Sequence, residues 1–326
     1  MKDAGGRDGS AFGRRDFVKG TICAVAGLGA PSLVHGGGAT PPPGTPAAPP
    51  ATPDDEIAAI DLWQRETDLV TPVIYGKYLR DGKTGGYASL ERLEQAYSKV
   101  RREIDDTQVT DVPAVWSVYN MGYVVKTPQA LFSIDLVHRR DCELAPLLDF
   151  ALITHNHGDH FRGGLYNAMN RQRKTVISNF LDNYGVADWR SQGGFTRARK
   201  TFRIKDVEVH TSLIDHNDYL VDYTTAFEIR VGDFTIYHTG DSGRGTEPKL
   251  VTTCGRPDLW LFFPGCGIDV AKAVEKVRPK RVVFGHLWEL GHGHGRLDAP
   301  KLKRALPLAR QFCDDVSIRY WGDRVM

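Results

Sequence analysis

Thr154-His155-Asn156-His157-Gly158-Asp159-His160 decides how the rest of this chain is read. Three histidines and one aspartate fall within six residues. They directly follow Leu147-Leu148-Asp149-Phe150-Ala151-Leu152-Ile153, an apolar run that suits a buried strand. A strand ending in imidazoles and a carboxylate builds a poor core, because each polar side chain would need a buried partner. It is well suited to holding metal ions. His155 and His157 stand two apart in an extended segment, project to the same side and can share one metal. Asp159 and His160 are adjacent and point apart, and a turn at Gly158 can bring them to a second metal. Imidazole and carboxylate together suit zinc or another borderline transition ion.

Two metals need more donors than this loop supplies. Three later runs end the same way. Val207-Glu208-Val209-His210-Thr211-Ser212-Leu213-Ile214 leads to Asp215-His216-Asn217. Phe234-Thr235-Ile236-Tyr237-His238 leads to Thr239-Gly240-Asp241-Ser242. Arg281-Val282-Val283-Phe284 leads to Gly285-His286. Donors collected at strand ends on one edge of a sheet sandwich can converge on one site. His238 lies within its strand and reads as a core histidine or as a partner to a ligand. His292 and His294 sit in a glycine-rich loop, where they either contact substrate, shuttle a proton or simply face solvent.

At His155, His157, Asp159 and His160 the sequence resembles the metallo-β-lactamase-fold superfamily, whose signature is H-x-H-x-D-H after a strand. The Gly163-Gly164 pair is also similar to that family. The resemblance runs from about Val112 to near the C-terminus. It implies an α/β, four-layer αββα sandwich. It also implies a first metal on His155, His157 and His216, a second on Asp159, His160 and His286, and a bridging carboxylate at Asp241. His210 competes with His216 for the third place at the first metal, and His216 is preferred because it lies past its strand. Asp159 and Asp241 are the carboxylates that the resemblance makes catalytic, and the cofactors it implies are two divalent ions, zinc first.

Solvent held between two such ions is acidified and available as hydroxide near neutral pH, so no serine or cysteine nucleophile is required. Hydrolysis of a small-molecule ester or lactone is the expected reaction, with a phosphodiesterase or β-lactamase of the same fold as alternatives. A metal-binding protein without turnover is the alternative from another class. The di-iron flavoprotein branch resembles H-x-E-x-D-H, and His157 departs from it. The first β-lactamase group has cysteine where this chain has Asp241. Asp241 with His286 is more similar to the glyoxalase II, lactonase and phosphodiesterase branches. Fold alone does not choose among them. Arg162, Arg244 and Arg296 are scattered cations near these loops, whereas Phe161, Tyr166, Tyr219, Tyr223 and Trp288 suit a largely apolar substrate.

The rest of the chain divides by composition. Arg14-Arg15-Asp16-Phe17-Val18-Lys19 precedes an uncharged run of small apolar residues from Gly20 to Leu33. Residues 1–39 thus read as a signal peptide of twin-arginine type, too short and too broken for a stable membrane span. The expected partner is the twin-arginine export machinery, and the expected location is periplasmic or extracellular. Residues 40–53 are a Pro/Ala-rich linker. Residues 54–111 form an N-terminal helical extension of two helices. The first carries Ile57, Ile60, Trp63 and Val70. The second is capped by Ser89 and carries Leu90, Leu93, Tyr97, Val100 and Ile104. Residues 112–326 form the metallo-β-lactamase-like domain. The 42 basic and 40 acidic residues leave a net charge of +2, so no nucleic-acid partner is expected. The five cysteines form no zinc spacing, and an exported chain could join Cys254 to Cys266.

Overall fold

The central strands are apolar on both faces, and that sorts the chain into layers. In β1 (Ala114–Tyr119), Val115 points one way while Ala114, Trp116 and Val118 point the other. In β10 (Leu259–Phe263), Leu259 and Leu261 oppose Trp260 and Phe262. Each strand therefore needs a cover on both sides. This computed structural model describes residues 53–180, 200–291 and 297–326. The expected signal peptide, Arg14, Arg15 and all of the linker except Pro53 lie outside the described residues, as do His292, His294 and Arg296.

The first sheet runs in the order β1, β2 (Gly122–Lys126), β3 (Leu131–Ile134), β4 (Phe150–Leu152) and β5 (Thr175–Ile177). It is antiparallel from β1 to β3 and parallel from β3 to β5. The second sheet contains β6 (Lys200–Ile204), β7 (Val207–Ile214), β8 (Thr224–Val231), β9 (Phe234–Asp241), β10, β11 (Arg281–Phe284) and β12 (Asp315–Ile318), side by side in chain order. It is antiparallel from β6 to β9 and parallel from β9 to β12. Phe132, Phe150 and Ile177 of the first sheet meet Phe227, Ile229 and Leu261 of the second in the inter-sheet core. Helices cover the outer faces. α3 (Ala88–Asp106) packs on β1 and α4 (Gly163–Arg171) on β5, while α5 (Val270–Val277) and α6 (Ala299–Arg310) cover the second sheet. The architecture is an αββα sandwich.

Residues 53–106 differ from the sequence expectation. They form three helices, α1 (Pro53–Asp68), α2 (Pro72–Asp81) and α3. Pro72 follows Thr71, whose side chain accepts from Ile74 N, so a new helix starts where the apolar pattern of the first runs on. Ser89 is not a cap: Tyr87 holds that position without a side-chain bond, and Ser89 Oγ donates to Glu66 O instead. Ile57 is 42% exposed rather than core. α1 packs against α3 and α6, joining the two outer layers. Its Trp63 sits 4.8 Å from Trp288, 4.9 Å from Tyr320 and 5.1 Å from Trp321, centroid to centroid. The helical region is thus built into the body of the fold, behind the loop that follows β11. Cys254 and Cys266 are both free thiols, so the disulfide considered for them is not formed. No helix among the described residues is long and apolar enough to cross a membrane.

Candidate metal centre

Parallel strands in neighbouring positions end at the same edge, and that edge carries the polar groups. β4 delivers His155, His157, Asp159 and His160 in the loop after it. β7 delivers His216, β9 ends on Asp241 itself, and β11 delivers His286. The seven residues form two groups of four, each with donor atoms within 4.8 Å of one another. His155, His157, His216 and Asp241 make the first, and Asp159, His160, Asp241 and His286 the second. Asp241 belongs to both. Its Oδ2 lies 3.3 Å from His216 Nε2, and its Oδ1 lies 3.0 Å from His160 Nε2 and 3.6 Å from His286 Nε2. Asp159 and His160 do not point apart as adjacency suggested. The turn folds Asp159 Oδ2 to 3.3 Å from His160 Nε2 and 2.8 Å from His286 Nε2.

The other histidines fall elsewhere. His210 Nε2 pairs with Glu208 Oε1 at 2.8 Å on the half-buried face of β7. His238 is fully buried; Gly240 N donates to its Nδ1, and its Nε2 donates to Met121 O at 3.1 Å. Asp215, beside His216, accepts from Lys249 Nζ at 2.6 Å and Asp222 N at 2.8 Å and is spent on holding the loop.

Close backbone approaches set the register of these loops. A Cβ on Gly243 would lie 2.0 Å from His216 O, and one on Gly240, at φ +49°, would lie 2.8 Å from Thr154 Oγ1. His286 itself has φ +60° and Trp288 φ +54°, a conformation that L side chains adopt only when the surroundings impose it. The imposing contacts are visible. Phe263 stacks on the His286 ring at 4.1 Å, and the aromatic cluster around Trp63 grips Trp288.

Asp135 and Glu289 were missed in the sequence. Asp135 is fully buried, and its carboxylate accepts from Thr154 N at 2.7 Å and Thr154 Oγ1 at 2.6 Å. It also accepts from His160 Nδ1 at 2.8 Å. Because the Thr154 hydroxyl proton goes to Asp135, His155 Nδ1 must donate to Thr154 Oγ1, 3.0 Å away. Both imidazoles are therefore held with Nδ1 protonated and the Nε2 lone pair facing the cluster. Glu289, buried, brings Oε2 to 3.6 Å from His286 Nδ1. The signal for Asp135 was an aspartate inside the apolar run Leu131-Phe132-Ser133-Ile134-Asp135-Leu136, a position with no other reason to be charged.

The donor set fits a metal. His155 Nε2, His160 Nε2, His216 Nε2 and Asp241 Oδ1 are shut away from solvent and make no hydrogen bond among the described residues. Buried polar atoms are rarely left so, and a cation is what three imidazole lone pairs and a carboxylate oxygen have in common. Charge reinforces this. Burial alone would raise the Asp241 and Asp159 pKa values, but His160 and His286 outweigh it and hold both carboxyls far below their usual range. Burial would lower His286, yet Asp241 and Asp159 raise it to about 9. Burial, with cationic neighbours, pushes His155 and His157 down. His155 and His157 are thus held toward the neutral form that binds a metal, and Asp159 and Asp241 toward the ionised form.

Comparison with known proteins follows the same line. No family model matches the chain. A UPF0173 metal-dependent hydrolase of Staphylococcus haemolyticus is 32% identical over 156 residues, covering 43% of this chain and 68% of the relative. The chain belongs to the UPF0173 family of metal-dependent hydrolases. Another UPF0173 member, from Methanosarcina barkeri, is 30% identical over 157 residues, 44% of this chain and 67% of its own length. For a third, from Methanosarcina mazei, identity is 28% and the match spans 65% of the relative, just under two thirds. Among solved structures, a "possible metal-dependent hydrolase" from Veillonella parvula aligns with 66% of this chain and 99% of its own at TM-score 0.52. At 11% identity that likeness shows the fold alone. A metallo-beta-lactamase fold protein from Bacillus subtilis aligns at 16% identity and TM-score 0.48, over 65% of this chain and 99% of its own. The UPF0173 assignment and the strand-end histidines agree on a metal-dependent hydrolase.

Proposed function

We propose that this chain is a dinuclear metallo-hydrolase acting on a small carboxylic ester or lactone. One observation carries the proposal: two groups of four donors share Asp241. His155, His157 and His216 would hold one ion, Asp159, His160 and His286 the other, with Asp241 bridging and zinc the metal best matched to the donors. Ions so held acidify solvent and polarise a carbonyl.

The protein's own residues do the rest. Asp135 and Thr154 fix His155 and His160, two of the three imidazoles of the β4 loop, in one tautomer. Phe263 stacks on the ring of His286, and Glu289 stands 3.6 Å from its Nδ1. Tyr223 stands at the mouth, its ring 5.8 Å from His155 and 5.5 Å from His157, with its hydroxyl hydrogen-bonded to Asn156. A half-buried tyrosine there walls one side of the first group.

An ester or lactone ranks ahead of a phosphodiester because few cations stand near the centre among the described residues. Arg244 is exposed, and Arg162 shares its cavity with two carboxylates, Asp159 and Glu289. A diester phosphate is better served by several converging cations. Side-by-side kcat/KM on p-nitrophenyl esters, aliphatic lactones and bis-p-nitrophenyl phosphate tests the ranking. The expected result is a preference for ester or lactone that is lost in His157→Ala. Preference for the phosphodiester reverses it, and no turnover with both metals in place removes the hydrolytic reading.

We also propose export by the twin-arginine route, supported by Arg14-Arg15 before an uncharged run. That route carries folded proteins, which suits a chain loaded with metal before it crosses.

A further inference from the structure

A cavity of about 250 Å³ opens beside Asp159. Asp159 forms part of its wall, so it communicates with the second group of donors. α2 supplies another part, through Tyr75 and Leu79, and Tyr119, Arg162 and Glu289 are also in the lining. The helical region therefore does more than cover the fold: it shapes the space next to the centre. Gly291 fixes this arrangement, since a Cβ there would lie 2.7 Å from the Tyr75 ring. Tyr119 ties the loop to the sheet by accepting from Leu290 N at 2.7 Å.

Arg162 is the unusual member. Its guanidinium makes no hydrogen bond or ion pair among the described residues, and Nη1 is buried without a partner. The neighbouring arginines behave otherwise: Arg139 pairs with Glu94, and Arg140 with Glu94 and Glu143. An unpaired guanidinium at a cavity wall is costly to keep unless a ligand supplies the acceptor. The two carboxylates in the same cavity limit that ligand. With Asp159 and Glu289 already facing this one cation, each further negative charge on the ligand adds repulsion, so a monoanion is favoured over a phosphate dianion. The volume falls below the range of drug-sized sites, so the ligand is small.

We propose that Arg162 anchors the carboxylate of a small monoanionic ester or lactone, placed in this cavity so that its carbonyl end reaches the centre at Asp159. The substrate class is thus a half-ester or carboxylated lactone. This rests on the hydrolytic reading above.

The test separates the two. On metal-saturated protein, monomethyl adipate and its neutral counterpart methyl hexanoate are compared by acid release. Calorimetry measures binding of adipamate, an uncleaved monoanion, against neutral adipamide. The expected result is preference for the monoanion in both. Arg162→Gln loses about tenfold or more in adipamate affinity and in KM for monomethyl adipate, with metal content and methyl hexanoate turnover unchanged. Leu79→Trp, which narrows the cavity from α2, weakens adipamate in the same way and stands in if the arginine variant does not fold. If adipamate binds through Arg162 but neither ester is cleaved, the pocket stands and the hydrolytic reading falls. If both esters are cleaved alike and Arg162→Gln changes neither, hydrolysis stands and the pocket is refuted. Tighter binding of inorganic phosphate than of adipamate, dependent on Arg162, overturns the carboxylate assignment.

Discussion

His160 Nδ1 lies 2.8 Å from Asp135 Oδ2, and both side chains are fully buried. Asp135 stands at φ +43°, so the backbone at the end of β3 is bent to aim this carboxylate at the β4 loop. The same carboxylate takes both Thr154 donors, through which it also orients His155. One residue thus sets the tautomer of an imidazole in each group.

Asp135→Asn should therefore weaken metal binding at both groups. An amide cannot accept from Thr154 N, Thr154 Oγ1 and His160 Nδ1 together and keep their geometry. Partners of this kind are worth about 10- to 100-fold in metal affinity. Competition with a zinc chelator measures it, and unchanged affinity in the variant would show that Asp135 plays no positioning role.

Asp141 gives a pH dependence away from the centre. It is buried, Oδ2 makes no hydrogen bond among the described residues, and a Cβ on Gly164 would lie 3.0 Å from Oδ1. Burial pushes its carboxyl up to about 7, with Arg162 opposing. A folded-state pKa above the unfolded one gives stability that is complete below the ordinary value near 3.8 and is lost as pH rises through about 7. Asp141→Asn should remove that loss, on the order of a few kcal/mol, from the pH profile of chemical denaturation of metal-saturated protein. Parallel profiles for wild type and variant would contradict this origin.

Much of this molecule was legible because its chemistry sits at strand ends. The β4 loop carries its histidines in an order that apolar packing cannot explain, and the apolar runs of β7, β9 and β11 stand out before His216, Asp241 and His286. Less legible was anything decided by contacts distant in sequence. Asp135 reads as one polar residue in an apolar run until β3 is seen beside β4. Ser89 looks like a cap until Glu66 O is found against its hydroxyl. The side chains of Asp159 and His160 converge only because the turn folds back on His286, 127 positions further on. Likewise, the role of α2 depends on Tyr75 meeting Gly291 across the fold.

Gly243→Ala tests how tightly the β7 loop is set. Its Cβ would lie 2.0 Å from His216 O and 2.8 Å from Asn217 N, both backbone atoms that no side-chain movement relieves. The variant should lose about 2 kcal/mol or more of stability and bind metal less tightly at the first group. Thermal denaturation with and without added zinc reads both effects, and a melting profile equal to wild type would rule out the close packing described here.

Export is tested by replacing Arg14 and Arg15 together with lysine. The charge is kept, so a general secretory signal would still work, whereas a twin-arginine signal would not. The expected result is retention of the protein in the cytoplasm. Export at the wild-type level would contradict the proposed route.

The central claim is that two ions share Asp241, and metal content measures it most directly. Elemental analysis of protein purified without chelator and reconstituted with zinc should give close to two ions per chain. Asp241→Ala should lower occupancy at both groups, because its two oxygens face His216 on one side and His160 on the other. Fewer than one ion per wild-type chain after reconstitution, or loss of only one ion in Asp241→Ala with the other bound as tightly as before, would contradict the account.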